Sequence, residues 1–213
     1  AEVLRELGSV RGVLHVGANV GQEAALYTAM GVPKVLWVEC QEECKAPLEA
    51  AVAAAGRTHD TVVIAAVADS TGATATLHRV SNSISSSLKP LGAGHRTFFP
   101  FLRQEAPQPV TTTTLDDLLI TNGLKFDEYD TLYLDVQGGE LDVLKGAEQA
   151  LSHVRAVMTE VSCVPHYQGG VLEEELHAWL TERGFTRTQR MMPPLGHGNA
   201  LYLRAKDTPR AAS

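Results

Sequence analysis

Residues 12–39 read GVLHVGANVGQEAALYTAMGVPKVLWVE. The run at 12–16 is apolar and ends at a glycine, 22–30 has helical composition, and 34–39 is a second apolar run that ends on an acid. Strand, helix and strand in so short a span are the unit of a parallel sheet with right-handed crossovers. The alternation continues with an Ala- and Glu-rich helix at 42–55, stopped by Gly56, and a third strand at 61–68 (TVVIAAVA). Between the first strand and its helix lies His15-Val16-Gly17-Ala18-Asn19-Val20-Gly21. Glycine there lets the chain turn tightly and lets a ligand approach the backbone. Glu39 ends the second strand about twenty residues on, where a carboxylate can accept hydrogen bonds from the ribose hydroxyls of an adenosine.

Two cofactor classes share this arrangement. Dinucleotide enzymes show G-x-G-x-x-G, whose middle glycine makes room for a pyrophosphate; here Asn19 holds that place and the pattern is G-x-x-x-G. S-adenosylmethionine has no phosphate, and its methionine end needs hydrogen-bonding groups such as the Asn19 amide supplies. The residues therefore favour the methyl donor over NAD. A glycine turn with no ligand, and Glu39 as a solvated strand-end acid, is the plain alternative.

Outward from this core, 73–80 alternates like an extra strand, and 81–109 is rich in Ser, Pro and Gly with aromatics at Phe98, Phe99 and Phe101. A segment this long is expected to be a lid or pocket wall. Thr114 and Asp117 form a short-armed capping box before a helix at 115–122. A fourth strand (130–136), a helix (140–151), a fifth strand (155–161), an amphipathic helix (171–183) and a closing hairpin (185–191 with 199–204) complete the chain. With no repeat and no dividing linker, residues 1–213 are expected to form one α/β domain with a frayed tail at 205–213.

The chain carries a net charge of −7 with a pI of about 5.6. A broad basic patch is disfavoured, so nucleic acid is not the expected partner, and a small neutral or cationic substrate suits the charge better. Cys40 and Cys44 have the spacing of half a zinc site, but no second pair follows; reduced thiols are the simpler reading. No apolar run approaches the roughly 20 residues of a membrane span, and AEVLRELGSVRG at the N-terminus lacks a signal-peptide core. A soluble cytoplasmic protein is expected; its oligomeric state is open.

Several blocks in order give the chain a family likeness. LHVGANVGQE (14–23), VLWVEC (35–40), VADSTG (67–72), SNSISSSL (81–88), VTTTTLDDLL (110–119), LYLDVQGGELDVLKGAE (132–148), TEVSCVPHYQGG (159–170) and GNALYL (198–203) resemble the FkbM family of S-adenosylmethionine-dependent methyltransferases. The likeness runs from about Leu14 to Leu203, and the L-D-V-Q-G-x-E-x-x-V-L-K-G-A run is its most specific part. It implies a Rossmann-like class I sheet of seven mostly parallel strands, the last antiparallel, with helices on both faces. It also implies O-methylation of a hydroxyl on a sugar or natural-product scaffold. By position the donor-binding residues fall on His15, Gly17, Ala18, Asn19, Gly21 and Glu39, with Val67 and Ala68 near adenine. The family often has Asp where His15 stands, and usually an acid where Asn199 stands.

In an open α/β sheet the pocket lies beyond the carboxyl ends of the strands. Asp135 and Glu160 end the fourth and fifth strands there, and His166 and Tyr167 follow on the next loop. Asp135 is thus a candidate for both the donor site and catalysis, with Glu160 and His166. One of these groups removes the acceptor proton directly, or Asp135 and Glu160, with His166, hold a divalent ion such as Mg²⁺ that lowers the acceptor pKa. Plainer readings stand beside these: Asp135 as a helix cap, Gln137 and Glu140 as partners of backbone groups, and a donor-binding module that no longer catalyses.

Overall fold

The structure is a computed structural model and describes residues 9–191 and 196–205. The N-terminal segment 1–8 and most of the expected frayed tail, 206–213, lie outside the described residues. The strands are β1 (Val13–Val16), β2 (Val35–Glu39), β3 (Thr61–Ile64), β4 (Ala66–Val67), β5 (Thr74–Leu77), β6 (Gln108–Thr113), β7 (Thr131–Leu134), β8 (Ala156–Ser162), β9 (Phe185–Met191) and β10 (His197–Arg204). The helices are α1 (Ala24–Ala29), α2 (Lys45–Ala54), α3 (Ala93–Phe98), α4 (Leu115–Thr121), α5 (Glu140–Lys145), α6 (Glu148–His153) and α7 (Glu173–Glu182).

Seven strands form the main sheet in the order β3-β2-β1-β7-β8-β10-β9. β1 pairs in parallel with β2 and β7, and β7 with β8, while β10 runs antiparallel between β8 and β9. The order reverses between β1 and β7, and a doubly wound sheet opens a crevice at such a switch point. Alternation along β1 sends Leu14 and Val16 to one face and Val13 and His15 to the other. The first face packs against α4 through α7, with Leu118, Leu144, Leu151 and Leu176 buried. The second packs under α1 and α2, with Tyr27, Leu48 and Val52 around Trp37. Helices therefore cover both faces, as the family resemblance implies.

Three boundaries differ from the sequence reading. The third strand breaks at Ala65, whose N–H donates to the Glu39 carbonyl (2.8 Å); beyond it β4 leaves the main sheet and pairs with β6. β6, unmarked in the sequence reading, joins β4 and β5 in a separate three-stranded sheet. The helix expected over 140–151 breaks into α5 and α6 at Gly146, where a Cβ would stand 2.2 Å from the Ala68 carbonyl oxygen. The Thr114 cap holds: its hydroxyl accepts from the Asp117 N–H (3.0 Å).

Candidate active site

The turn after β1 is built by its own backbone. The N–H groups of Gly17 and Ala18 both donate to the Val38 carbonyl, at 2.9 and 3.0 Å. Gly17 has φ +89°, and a Cβ there would lie 1.9 Å from the Asp135 carbonyl oxygen, so only glycine lets β1 and β7 end side by side. Asn19 follows at φ +45°, and its N–H donates to Glu39 Oε2 (2.8 Å). Glu39 Oε1 accepts from the N–H groups of Cys40 and Gln41, both at 2.9 Å. The buried carboxylate thus ties the two strand ends together, and Oε2, with one protein donor, keeps room for another.

These ends line a hollow. Of the donor-site candidates, His15, Gly17, Asn19, Glu39, Val67, Ala68 and Asp135 border it. Ala18 and Gly21 do not: Ala18 is buried in the core under α1 and α2, and a Cβ on Gly21 would meet Leu48 Cδ1 at 2.8 Å, so that glycine serves helix packing. His15 packs among Tyr27, Trp37 and Tyr133, with Nδ1 3.0 Å from the Tyr27 hydroxyl. Burial pushes it down to about 3, which keeps the imidazole neutral. The Asn19 amide is committed within the protein, donating to Ser83 Oγ (2.9 Å) and accepting from the Val20 N–H (2.8 Å). Ser83, in the 81–109 segment, therefore closes one side of the hollow.

A second hollow adjoins the first and shares Ile84, Asp135 and Gln137 with it. Glu160 and His166 line this second space. Sequence reasoning underrated Gln137. Its Nε2 donates to Asp135 Oδ1 (2.5 Å) and Glu160 Oε2 (2.9 Å), and its Oε1 accepts from the Tyr167 hydroxyl (2.6 Å). Its carbonyl accepts from Ser87 Oγ (2.7 Å), and its φ of +59° is uncommon for a non-glycine residue. Burial pushes Asp135 above the usual carboxylate range, against the Gln137 hydrogen bond and nearby His197. Burial, with Asp135 and Glu140 close by, pushes Glu160 well up. Glu140, not Asp135, serves the turn before α5: its Oε1 accepts from the N–H groups of Val136 (3.2 Å) and Gly138 (3.1 Å). Burial raises it to about 7 despite those bonds. His166 is buried beside Phe98, Phe99 and His197, with Nε2 3.4 Å from His197 Nδ1.

The metal readings do not fit this arrangement. A hard cation would need both carboxylates to turn their oxygens to it, yet the Gln137 amide nitrogen already spans them. Among the described residues no group of three His, Cys, Asp or Glu side chains converges as a metal site, at Asp135–Glu160 or at Cys40–Cys44. Burial raises the Cys40 thiol, and Cys44 to about 11.

A model of the methyltransferase FkbM domain matches residues 15–186. The chain belongs to the FkbM methyltransferase family. This member of the family is 35% identical over 75 residues to the 2-O-methyltransferase NoeI of Sinorhizobium fredii (strain NBRC 101917 / NGR234), a match covering 35% of the chain and 30% of that relative. It is similar in fold to a protein of the NADB-Rossmann superfamily from Streptococcus agalactiae, with a TM-score of 0.53 at 12% identity over 95% of this chain and 66% of that one. The methyltransferase domain of bacterial CtHen1 gives 0.51 at 10% identity over 95% and 94%. An uncharacterized protein from Listeria monocytogenes serotype 4b gives 0.52 at 8% identity, and there the FkbM chain spans 64% of its counterpart. The sheet order and these likenesses make the fold that of the Rossmann-like methyltransferases. Among the described residues no helix is long and apolar enough to cross a membrane.

Proposed function

We propose that the chain is an S-adenosylmethionine-dependent O-methyltransferase acting on a hydroxyl of a small molecule, a sugar or natural-product scaffold. The observation that carries this reading is the meeting of two hollows at Asp135, one edged by the Gly17–Glu39 turn and the other by Glu160. The donor's adenosyl group lies in the first hollow, its ribose hydroxyls donating to Glu39 Oε2 and its adenine beside Val67 and Ala68. The acceptor hydroxyl enters the second. Its oxygen attacks the methyl carbon in line with the departing sulfur, the C–S bond breaks, and the products are a methyl ether and S-adenosylhomocysteine.

The hydroxyl proton passes to the Asp135–Glu160 pair, whose proton affinity burial raises. Gln137 keeps both carboxylates aimed, and His166 walls the acceptor space. Calorimetry with S-adenosylhomocysteine and NAD tests the cofactor: binding of the first and not the second is expected. Labelled methyl transfer to a panel of hydroxylated acceptors tests the reaction. Donor binding without transfer to any of them would favour a non-catalytic module, and binding of NAD alone would remove the reading.

A further inference from the structure

The second hollow is lined by polar and apolar groups that differ in exposure. Asp135, Gln137, Glu140 and Glu160 are among the first, with Glu140 buried. Ile84, Phe101 and Leu172 border the same space while exposed by 56%, 71% and 39%, and Phe99 stands edge-on behind Phe101 at 6.3 Å. The space measures about 330 Å³, within the range that holds a small organic molecule.

Resting on the methyltransferase reading above, we infer that the acceptor is uncharged and amphipathic. Its hydroxyl-bearing end points at Asp135, and its apolar body leaves the hollow between Ile84, Phe101 and Leu172. The charge part follows from what lines the space. Three carboxylates border it, and no described lining residue is Lys or Arg. A phosphate brought in would lose its hydration with no Lys or Arg partner to replace it, and would face carboxylates. Three histidines also border the space, and two limits bear on the charge they can carry. Burial, with His166 and His197 nearby, pushes His95 down. His166 Nε2 and His197 Nδ1 face one another at 3.4 Å, so protonating both rings fully would set two N–H groups head to head.

The apolar part follows from the rim. Large apolar side chains exposed together at the mouth of a cavity mark a surface that a ligand covers. A bare monosaccharide reaching Asp135 would leave them wet, whereas an acceptor with an alkyl or aryl body would cover them. The reaction order follows. Sugars are activated for transfer as phosphate esters, and this hollow excludes those. If the methylated hydroxyl belongs to a sugar, glycosyl transfer onto an apolar aglycone supplies the substrate and methylation comes after it.

Two fluorescent probes that share their rings test the selectivity: neutral N-phenyl-1-naphthylamine, and 8-anilino-1-naphthalenesulfonate, which adds one anionic group. Each is titrated into the protein, with and without S-adenosylhomocysteine, at about pH 8, above the ordinary range of imidazole. The neutral probe is expected to bind about tenfold tighter than the sulfonate. Phe101→Ser, at an exposed position that leaves the core intact, is expected to weaken the neutral probe about fivefold. Sulfonate binding equal to or tighter than the neutral probe overturns the inference, as does neutral binding that neither Phe101→Ser nor Leu172→Ser changes. In a second arm, labelled methyl transfer is followed in mixtures of alkyl glycosides and nucleoside-diphosphate sugars; label on a nucleotide-linked sugar overturns it. Failure of S-adenosylhomocysteine to bind would instead strike the methyltransferase reading, since the probes are also measured without it.

Discussion

At Gln137 one amide meets three polar side chains, its Nε2 facing Asp135 and Glu160 and its Oε1 facing the Tyr167 hydroxyl, which also lies 3.1 Å from the Ser85 carbonyl. Gln137→Leu removes both N–H bonds at similar size, so turnover is expected to fall about 10- to 100-fold, while affinity for S-adenosylhomocysteine, measured by calorimetry, stays within about twofold. A large loss of donor affinity would mean that Gln137 serves the donor site instead. The same amide occupies the place between the carboxylates, so EDTA is expected to leave methyl transfer unchanged; inhibition reversed by Mg²⁺ would show that the amide swings aside. At the donor site, Glu39→Ala should weaken S-adenosylhomocysteine binding by about 1–3 kcal/mol, about 5- to 150-fold. Unchanged affinity would leave Glu39 only its partners within the protein. The acids were legible in the sequence because they end apolar runs. Gln137 was not, because its importance comes from a left-handed backbone and from Tyr167 thirty residues away, and no local pattern records either.

Between elements, close backbone approach sets the tolerances. Gly17→Ala would press a Cβ into the Asp135 carbonyl where β1 passes β7, and is expected to cost about 3 kcal/mol or more. Gly31 also has positive φ, +67°, but nothing lies within 4 Å of its added Cβ, so Gly31→Ala should cost only about 1 kcal/mol. Equal losses in denaturant melts would refute the close-contact account. The turn between β7 and α5 adds a pH dependence. Glu140 moves from 4.5 to about 7 on folding, so the folded state binds its proton more tightly than the unfolded chain does. Its stabilising contribution is full below about pH 4.5 and is lost as pH rises through about 7. Asp135 and Glu160 shift in the same direction. Glu140→Gln keeps an acceptor for Val136 and Gly138 but cannot ionise. Its melting temperature should therefore decline less between pH 5 and pH 8, and a slope equal to that of the wild type would deny the shift. Amphipathic period and glycine stops placed the strands and helices of the main sheet. They missed β6 and the breaks at Ala65 and Gly146, which tertiary contacts decide: β4 turns to a different partner strand, and Gly146 must clear Ala68.

Over the whole molecule, the parts lining the two hollows differ in how firmly they are held. The floor consists of strand ends in a sheet with both faces buried. The cover is the 81–105 segment, where Phe101 is 71% exposed and Ile84 56%. Its first part is tied to the donor side, Ser83 meeting both the Asn19 amide and, through its carbonyl, Gln41 Nε2 (2.9 Å). Its later part leans on the acceptor side, with the Gly92 N–H donating to the His166 carbonyl (2.7 Å). A ligand stabilises what it touches, and local opening is where that stabilisation is read. Saturating S-adenosylhomocysteine should therefore slow amide exchange at 83–88 and around 17–41 and leave 93–105 near its unliganded rate. An occupant of the second hollow, such as the neutral naphthylamine, should add protection at 93–105. Protection spread evenly over 81–105 by S-adenosylhomocysteine alone would make the segment one rigid cover and not two separately seated halves, and acceptor entry would then have to precede donor binding or wait for the whole cover to open.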